Sequence, residues 1–160
     1  MEKDGESLPM NYLTSLGTFD VIVGVSIYPF KSLGLTIAYQ QPLTQNKNQY
    51  PSTHQFHRQG DVLFRLNYQI SVVKDKLTVT TGLLPIYHLE NDTYVDEMGQ
   101  RMPIDGSEGL TINVNLLIVY HFNKRQSIEL SGGKPFITRK ARPDGLARKY
   151  VFGLEYKFRF

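Results

Sequence analysis

The segment Tyr150-Val151-Phe152-Gly153-Leu154-Glu155-Tyr156-Lys157-Phe158-Arg159-Phe160 places a large apolar residue at every second position, with Gly153, Glu155, Lys157 and Arg159 among the residues between them. Successive side chains of a β-strand point to opposite faces, so this stretch reads as a strand with one apolar face and one charged face. A soluble sheet would bury such a face against a second layer and blunt an edge strand with charge or proline. A membrane barrel does neither, because lipid covers the apolar face and closure pairs the edge.

The same alternation recurs upstream. Phe19, Val21, Val23, Val25 and Ile27 share one face, and after a turn at Pro29–Ser32 so do Leu33, Leu35, Ile37 and Tyr39. Val62, Phe64, Leu66, Tyr68, Ile70 and Val72 alternate with Asp61, Arg65, Asn67, Gln69 and Ser71, and a tight turn at Val73–Lys76 leads into Leu77, Val79, Thr81 and Leu83. Leu84-Pro85-Ile86-Tyr87 breaks that pattern near the strand end. The strongest strand carries Leu110, Ile112, Val114, Leu116, Ile118, Tyr120 and Phe122 opposite Thr111, Asn113, Asn115 and His121. A turn at Asn123–Gln126 returns it through Ile128 and Leu130, opposite Glu129, Ser131 and Gly133. Residues 1–16 form an N-terminal segment in which Leu8, Met10 and Tyr12 admit a short strand over 8–14, which would bring seven strands to eight.

Connections between these strands alternate short, long, short, long, short and intermediate, the long ones spanning about 41–59, 89–108 and 138–149. Such an order puts all the long loops at one end of a meander and all the tight turns at the other. Aromatic residues gather toward strand ends, at Tyr28, Phe30, Tyr39, Tyr87, Tyr120, Phe136 and Tyr150, as interfacial girdles do.

Composition agrees with one domain of 160 residues, rich in Gly (13), Tyr (10) and Phe (9) and without Cys. Disulfides, thiol catalysis and Cys-based metal sites are thereby removed. No run approaches the ~20 apolar residues of a transmembrane helix. The formal charge of +3 does not argue for a nucleic-acid partner, and no basic helix or stacking motif accompanies it. Residues 1–7 are charged and do not read as a signal peptide, so the expectation is either a signal removed upstream or the C-terminal part of a longer barrel.

The terminal segment resembles the C-terminal assembly signal of Gram-negative outer-membrane β-barrel proteins, with Gly153, Tyr156, Phe158 and a final Phe160 in the matching positions. Val151 departs from the related polar-x-Gly-x-x-apolar-x-apolar form, which has a polar residue there. The resemblance spans about residues 17–160. It implies an all-β fold, an antiparallel up-and-down transmembrane barrel of about eight strands, located in the outer membrane. Implied partners are outer-membrane lipid, lipopolysaccharide, the barrel-assembly machinery during insertion and a membrane-protein complex partner, with no nucleic acid and no cofactor.

On that reading the inward positions form a polar network of Arg65, Asn67, Gln69, Asn113, Asn115, Glu129, Glu155, Lys157 and Arg159, together with His121. Charges in a filled lumen must pair, which predicts salt bridges. Of His54, His57, His88 and His121, the first two stand three apart in a loop with no nearby carboxylate, weak for zinc, and read as loop histidines in solvent. The acidic loop 89–108 and the basic loop 137–149 are expected to attract each other over the mouth, or the latter's Arg139, Lys140, Arg142, Arg148 and Lys149 to grip lipopolysaccharide phosphates. No Gly-x-Ser-x-Gly elbow is present, and no catalytic residue is assigned. Three functions compete: a pore-less envelope component, a solute channel formed with a larger barrel, and a lipid-A-modifying enzyme.

Overall fold

The computed structural model describes residues 2–3, 6–7, 17–47, 54–143 and 149–160. Eleven strands run in chain order: β1 (Glu2–Lys3), β2 (Glu6–Ser7), β3 (Asp20–Phe30), β4 (Leu33–Pro42), β5 (Asp61–Val73), β6 (Leu77–His88), β7 (Thr93–Val95), β8 (Arg101–Pro103), β9 (Gly109–His121), β10 (Gln126–Ile137) and β11 (Val151–Phe158). Seven of them form one antiparallel meander in the order β3-β4-β5-β6-β9-β10-β11, while β1–β2 and β7–β8 are separate two-stranded pairs. No helix among the described residues is long and apolar enough to cross a membrane.

The alternation in sequence becomes two faces in space. Val23, Leu154 and Phe152 on the apolar face are 67, 72 and 74% exposed, and no second layer covers them among the described residues. The single buried large hydrophobic side chain among those residues is Phe56, in a loop rather than between sheets. A water-soluble sandwich of this size would bury apolar side chains from every strand.

Tight turns join the strands at one end. Asp75 takes the left-handed conformation (φ 58°) in the β5–β6 turn, one that Asp tolerates better than most side chains. In the β9–β10 turn Asn123 Oδ1 accepts the amides of Arg125 at 2.8 Å and Gln126 at 3.0 Å, an Asx arrangement that fixes the reversal.

The structure adds detail at three points. β6 runs through Leu84–Pro85 to His88, where the long connection was expected to begin. Pro85 has no N–H to donate, and β5–β6 pairing skips Leu84 and Pro85 while β6–β9 pairing continues through them, Pro85 standing opposite Ile112. Loop 89–108 contains the β7–β8 hairpin. The expected closed barrel is not what the described residues form, for the sheet is open, with β3 and β11 at its edges. In a seven-stranded meander the first and last strands run in the same direction, so direct pairing of β3 with β11 would be parallel. Antiparallel closure needs a further strand between them. The expected strand over 8–14 lies outside the described residues.

Candidate functional site

Strand register assembles a row of alternating glycine and asparagine across the polar face. Gly34 stands opposite Asn67, Asn67 opposite Gly82, Gly82 opposite Asn115, and Asn115 opposite Gly133. Residues directly opposite in a sheet are neighbours on one face, so the row crosses five consecutive strands. A Cβ at Gly82 would lie 2.7 Å from Asn67 Oδ1, and one at Gly133 would lie 3.0 Å from Asn115 Oδ1. The asparagines therefore lie over their glycine neighbours instead of standing up from the sheet. Above this low floor is a cavity of about 660 Å³, bordered by Arg65, Asn113 and, from the loop after β10, Arg142. Arg65 Nε donates to Asn67 Oδ1 at 3.3 Å, a contact that couples its position to the row.

At the loop end of the same face lies a buried ionic cluster. Register places Gln40 beside Asp61 and Asp61 beside His88. His88 Nδ1 lies 2.6 Å from Asp61 Oδ1, and its Nε2 lies 2.7 Å from Asp92 Oδ1. All three side chains are at most 2% exposed. Both ring nitrogens face carboxylate acceptors, and an imidazole can donate from both only as the imidazolium, so this geometry suits the charged form. Arg58 pairs with Asp61 and, at 3.5 Å, with Asp20, which also accepts Gln40 Nε2 at 2.6 Å.

The cluster ties two long loops to the strands. Asp92 Oδ1 also accepts the amide of Gln59 at 2.9 Å, while the amide of Asp92 donates to Ser107 Oγ at 2.7 Å. Ser107 Oγ donates in turn to the carbonyl of Ile104 at 2.7 Å. With both His88 nitrogens on carboxylates and Ser107 on the backbone, the histidine holds the loops together and is not poised to activate the hydroxyl. His54 and His57 are likewise docked rather than free in solvent. His57 exchanges backbone hydrogen bonds of 2.8 and 3.0 Å with Thr93, and His54 accepts the amide of Val95 at 2.8 Å. Phe56, between them in sequence, is fully buried.

The acidic and basic loops do meet, with backbone carbonyls as acceptors. Arg139 Nη1 donates to the carbonyl of Ser107 at 2.8 Å, and the amide of Ala141 donates to the carbonyl of Gly106, also at 2.8 Å. A second cavity of about 220 Å³ lies beneath them, lined by Arg58, Arg139, Arg142 and His88. Lys140 lies against Gly106 and Lys149 is exposed, whereas Arg148 falls outside the described residues.

Of the remaining inward residues, Lys157 Nζ lies 2.7 Å from Glu129 and 3.7 Å from Glu155 at the turn end. Gln69 stands opposite Thr80, and His121 opposite Ser127. Arg159 donates its amide to the carbonyl of Arg125 at 2.9 Å. In the terminal segment Gly153 faces Ser131 Oγ, where a Cβ would come within 2.6 Å. Tyr156 stands opposite Ile128, and Phe158 packs edge-on against Phe160 with ring centroids 5.3 Å apart.

The sequence pattern identified the polar face but not Asp20, Arg58, His88, Asp92 and Ser107 as one cluster. The available signal was Asp61 and His88 at the loop-side ends of two adjacent strands. The chain matches no protein-family model, no curated protein and no solved structure.

Proposed function

We propose that this chain is an integral outer-membrane β-protein, either a small barrel or the C-terminal part of a larger one, whose apolar face meets lipid and whose polar face looks into the lumen. One observation carries the reading: a single antiparallel sheet with one apolar face lacks any covering layer among the described residues. Water makes that face costly, at roughly 25 cal/mol per Å² of apolar surface left exposed, and hydrocarbon removes the cost. The meander strands β3, β4, β5, β6, β9 and β10 have 10 to 13 residues, enough for the ~9–11 that cross a tilted barrel wall, and β11 has 8. The capped loop end fits the outside surface of an envelope component, and the tight turns fit the periplasmic side. Arg139, Lys140 and Lys149, near that end, suit lipopolysaccharide phosphates, whereas Arg142 lines the polar-face cavity, and the terminal Gly153, Tyr156, Phe158 and Phe160 suit recognition by the assembly machinery.

A second reading, a solute channel, is favoured by the Gly–Asn row, because side chains lying along the sheet leave the polar face open instead of filling it. Folding the full chain into phospholipid vesicles tests the first reading. Strand formation that requires lipid or detergent, with the loops protease-sensitive and the strands protected, supports it. A folded monomer in plain buffer would refute it. Steady conductance in a planar bilayer would then select the channel.

A further inference from the structure

The 660 Å³ cavity on the polar face has an uneven chemistry. Its lining includes the guanidinium groups of Arg65, from β5, and Arg142, from the loop after β10, and no Asp or Glu side chain, while Lys134 of β10 stands opposite Val114 and belongs to the apolar face. The acids of this face sit elsewhere: Asp20 and Asp61 are paired with Arg58 at the loop end, and Glu129 and Glu155 with Lys157 at the turn end. The cationic middle is thus flanked by zones in which charge is already matched. Its floor is the amide row, where Asn67 and Asn115 each carry a donor and an acceptor. Gly82 and Gly133 keep those amides low, and a side chain at Gly82 would force Asn67 up into the space.

We infer that this cavity is a binding site for a small hydroxylated organic anion, its acidic group held by Arg65 and Arg142 and its hydroxyls by Asn67 and Asn115. Guanidinium groups present paired donors that match a carboxylate, which point-like ammonium groups do not. Arg142 borders the same cavity as Arg65, and partial desolvation there strengthens those contacts relative to open water. The inference deepens the channel reading, since it names the class of solute, and it rests on the polar face being the inner one.

Calorimetric titration of the full chain, folded in zwitterionic detergent, with citrate as the probe and sorbitol as the uncharged comparison is the test. Citrate binds and sorbitol does not. Arg65→Gln and Arg142→Gln each weaken citrate by about tenfold or more, the size expected for one charge-assisted contact. Lys124→Gln, in the β9–β10 turn, leaves binding unchanged. Gly82→Ala keeps the strand content and weakens citrate, because the added methyl displaces a flexible amide end rather than backbone. Absence of citrate binding to protein that inserts into vesicles overturns the site and leaves the membrane reading standing. Unchanged affinity in both arginine variants overturns it equally. Protein that binds citrate with the arginine dependence above but never inserts into lipid upholds the site and removes the membrane reading.

Discussion

His88 Nδ1 lies 2.6 Å from Asp61 Oδ1 across the β5–β6 ladder, and this contact joins the sheet to the loops that cover its end. Both partners are almost completely buried. Removing His88 takes the shared partner from both Asp61 and Asp92, and removing Asp61 leaves His88 with Asp92 alone and Arg58 with Asp20, so the buried cluster acts as a fastening whose failure is costly.

His88→Leu or Asp61→Asn is expected to destabilise the folded protein by about 3–5 kcal/mol, the range for breaking one side of a buried pair. Urea titration of protein folded in lipid measures it. Limited proteolysis should show cleavage within 89–108 in either variant before the strands are touched, because Asp92 and Ser107 lose their anchor. His54→Ala, whose link to Val95 is made by backbone, should cost far less.

The two faces differ in what they tolerate. If the apolar face meets lipid as proposed, Val114→Arg or Leu116→Arg, near mid-strand on that face, costs about 2–4 kcal/mol. Asn113→Ser, on the other face, should be mild. Equal tolerance in a lipid folding assay would show that the assignment of faces is wrong.

Much of this fold was legible because a period of two is a strong signal when it repeats over seven strands with loops of alternating length. The long connections from about residues 41 and 89 were legible, and so was the disturbance of the alternation at Leu84–Tyr87. Proline breaks pairing on one side only there, while β9 continues the ladder on the other. The buried cluster was harder to read. Asp92 and Ser107 come from a loop with no periodicity, and Arg58 from another, so nothing along the chain announces that they meet at His88. The Gly–Asn row was hidden for a related reason: each residue is ordinary in its own strand, and only register aligns Gly34, Asn67, Gly82, Asn115 and Gly133.

Gly153 has a steric role that can be separated from any role in assembly. Gly153→Ala brings a methyl against Ser131 Oγ, and a loss of about 1–3 kcal/mol is expected from overpacking. Combining it with Ser131→Gly should restore most of that stability in vitro. If export in cells stays impaired in the double variant, Gly153 is read by the assembly machinery as well.

Phe160 is fully exposed at the end of the chain. Deleting it should impair insertion in cells while altering refolding in detergent much less, since one interfacial aromatic contributes only about 1.5–3 kcal/mol by burial. Equal effects in both settings would reduce this terminus to an ordinary strand end.

Spin labels placed singly along β9, from Asn113 to Ile118, test the central claim most directly in protein reconstituted into vesicles. Accessibility to oxygen, which concentrates in hydrocarbon, and to a water-soluble nickel chelate is read at each site. The account predicts a period of two, with Val114, Leu116 and Ile118 favouring oxygen and Asn113, Asn115 and Leu117 favouring the chelate or being shielded from both. Chelate access at Val114 and Leu116 equal to that at Asn113 and Asn115 would contradict it, because the apolar face would then be facing water.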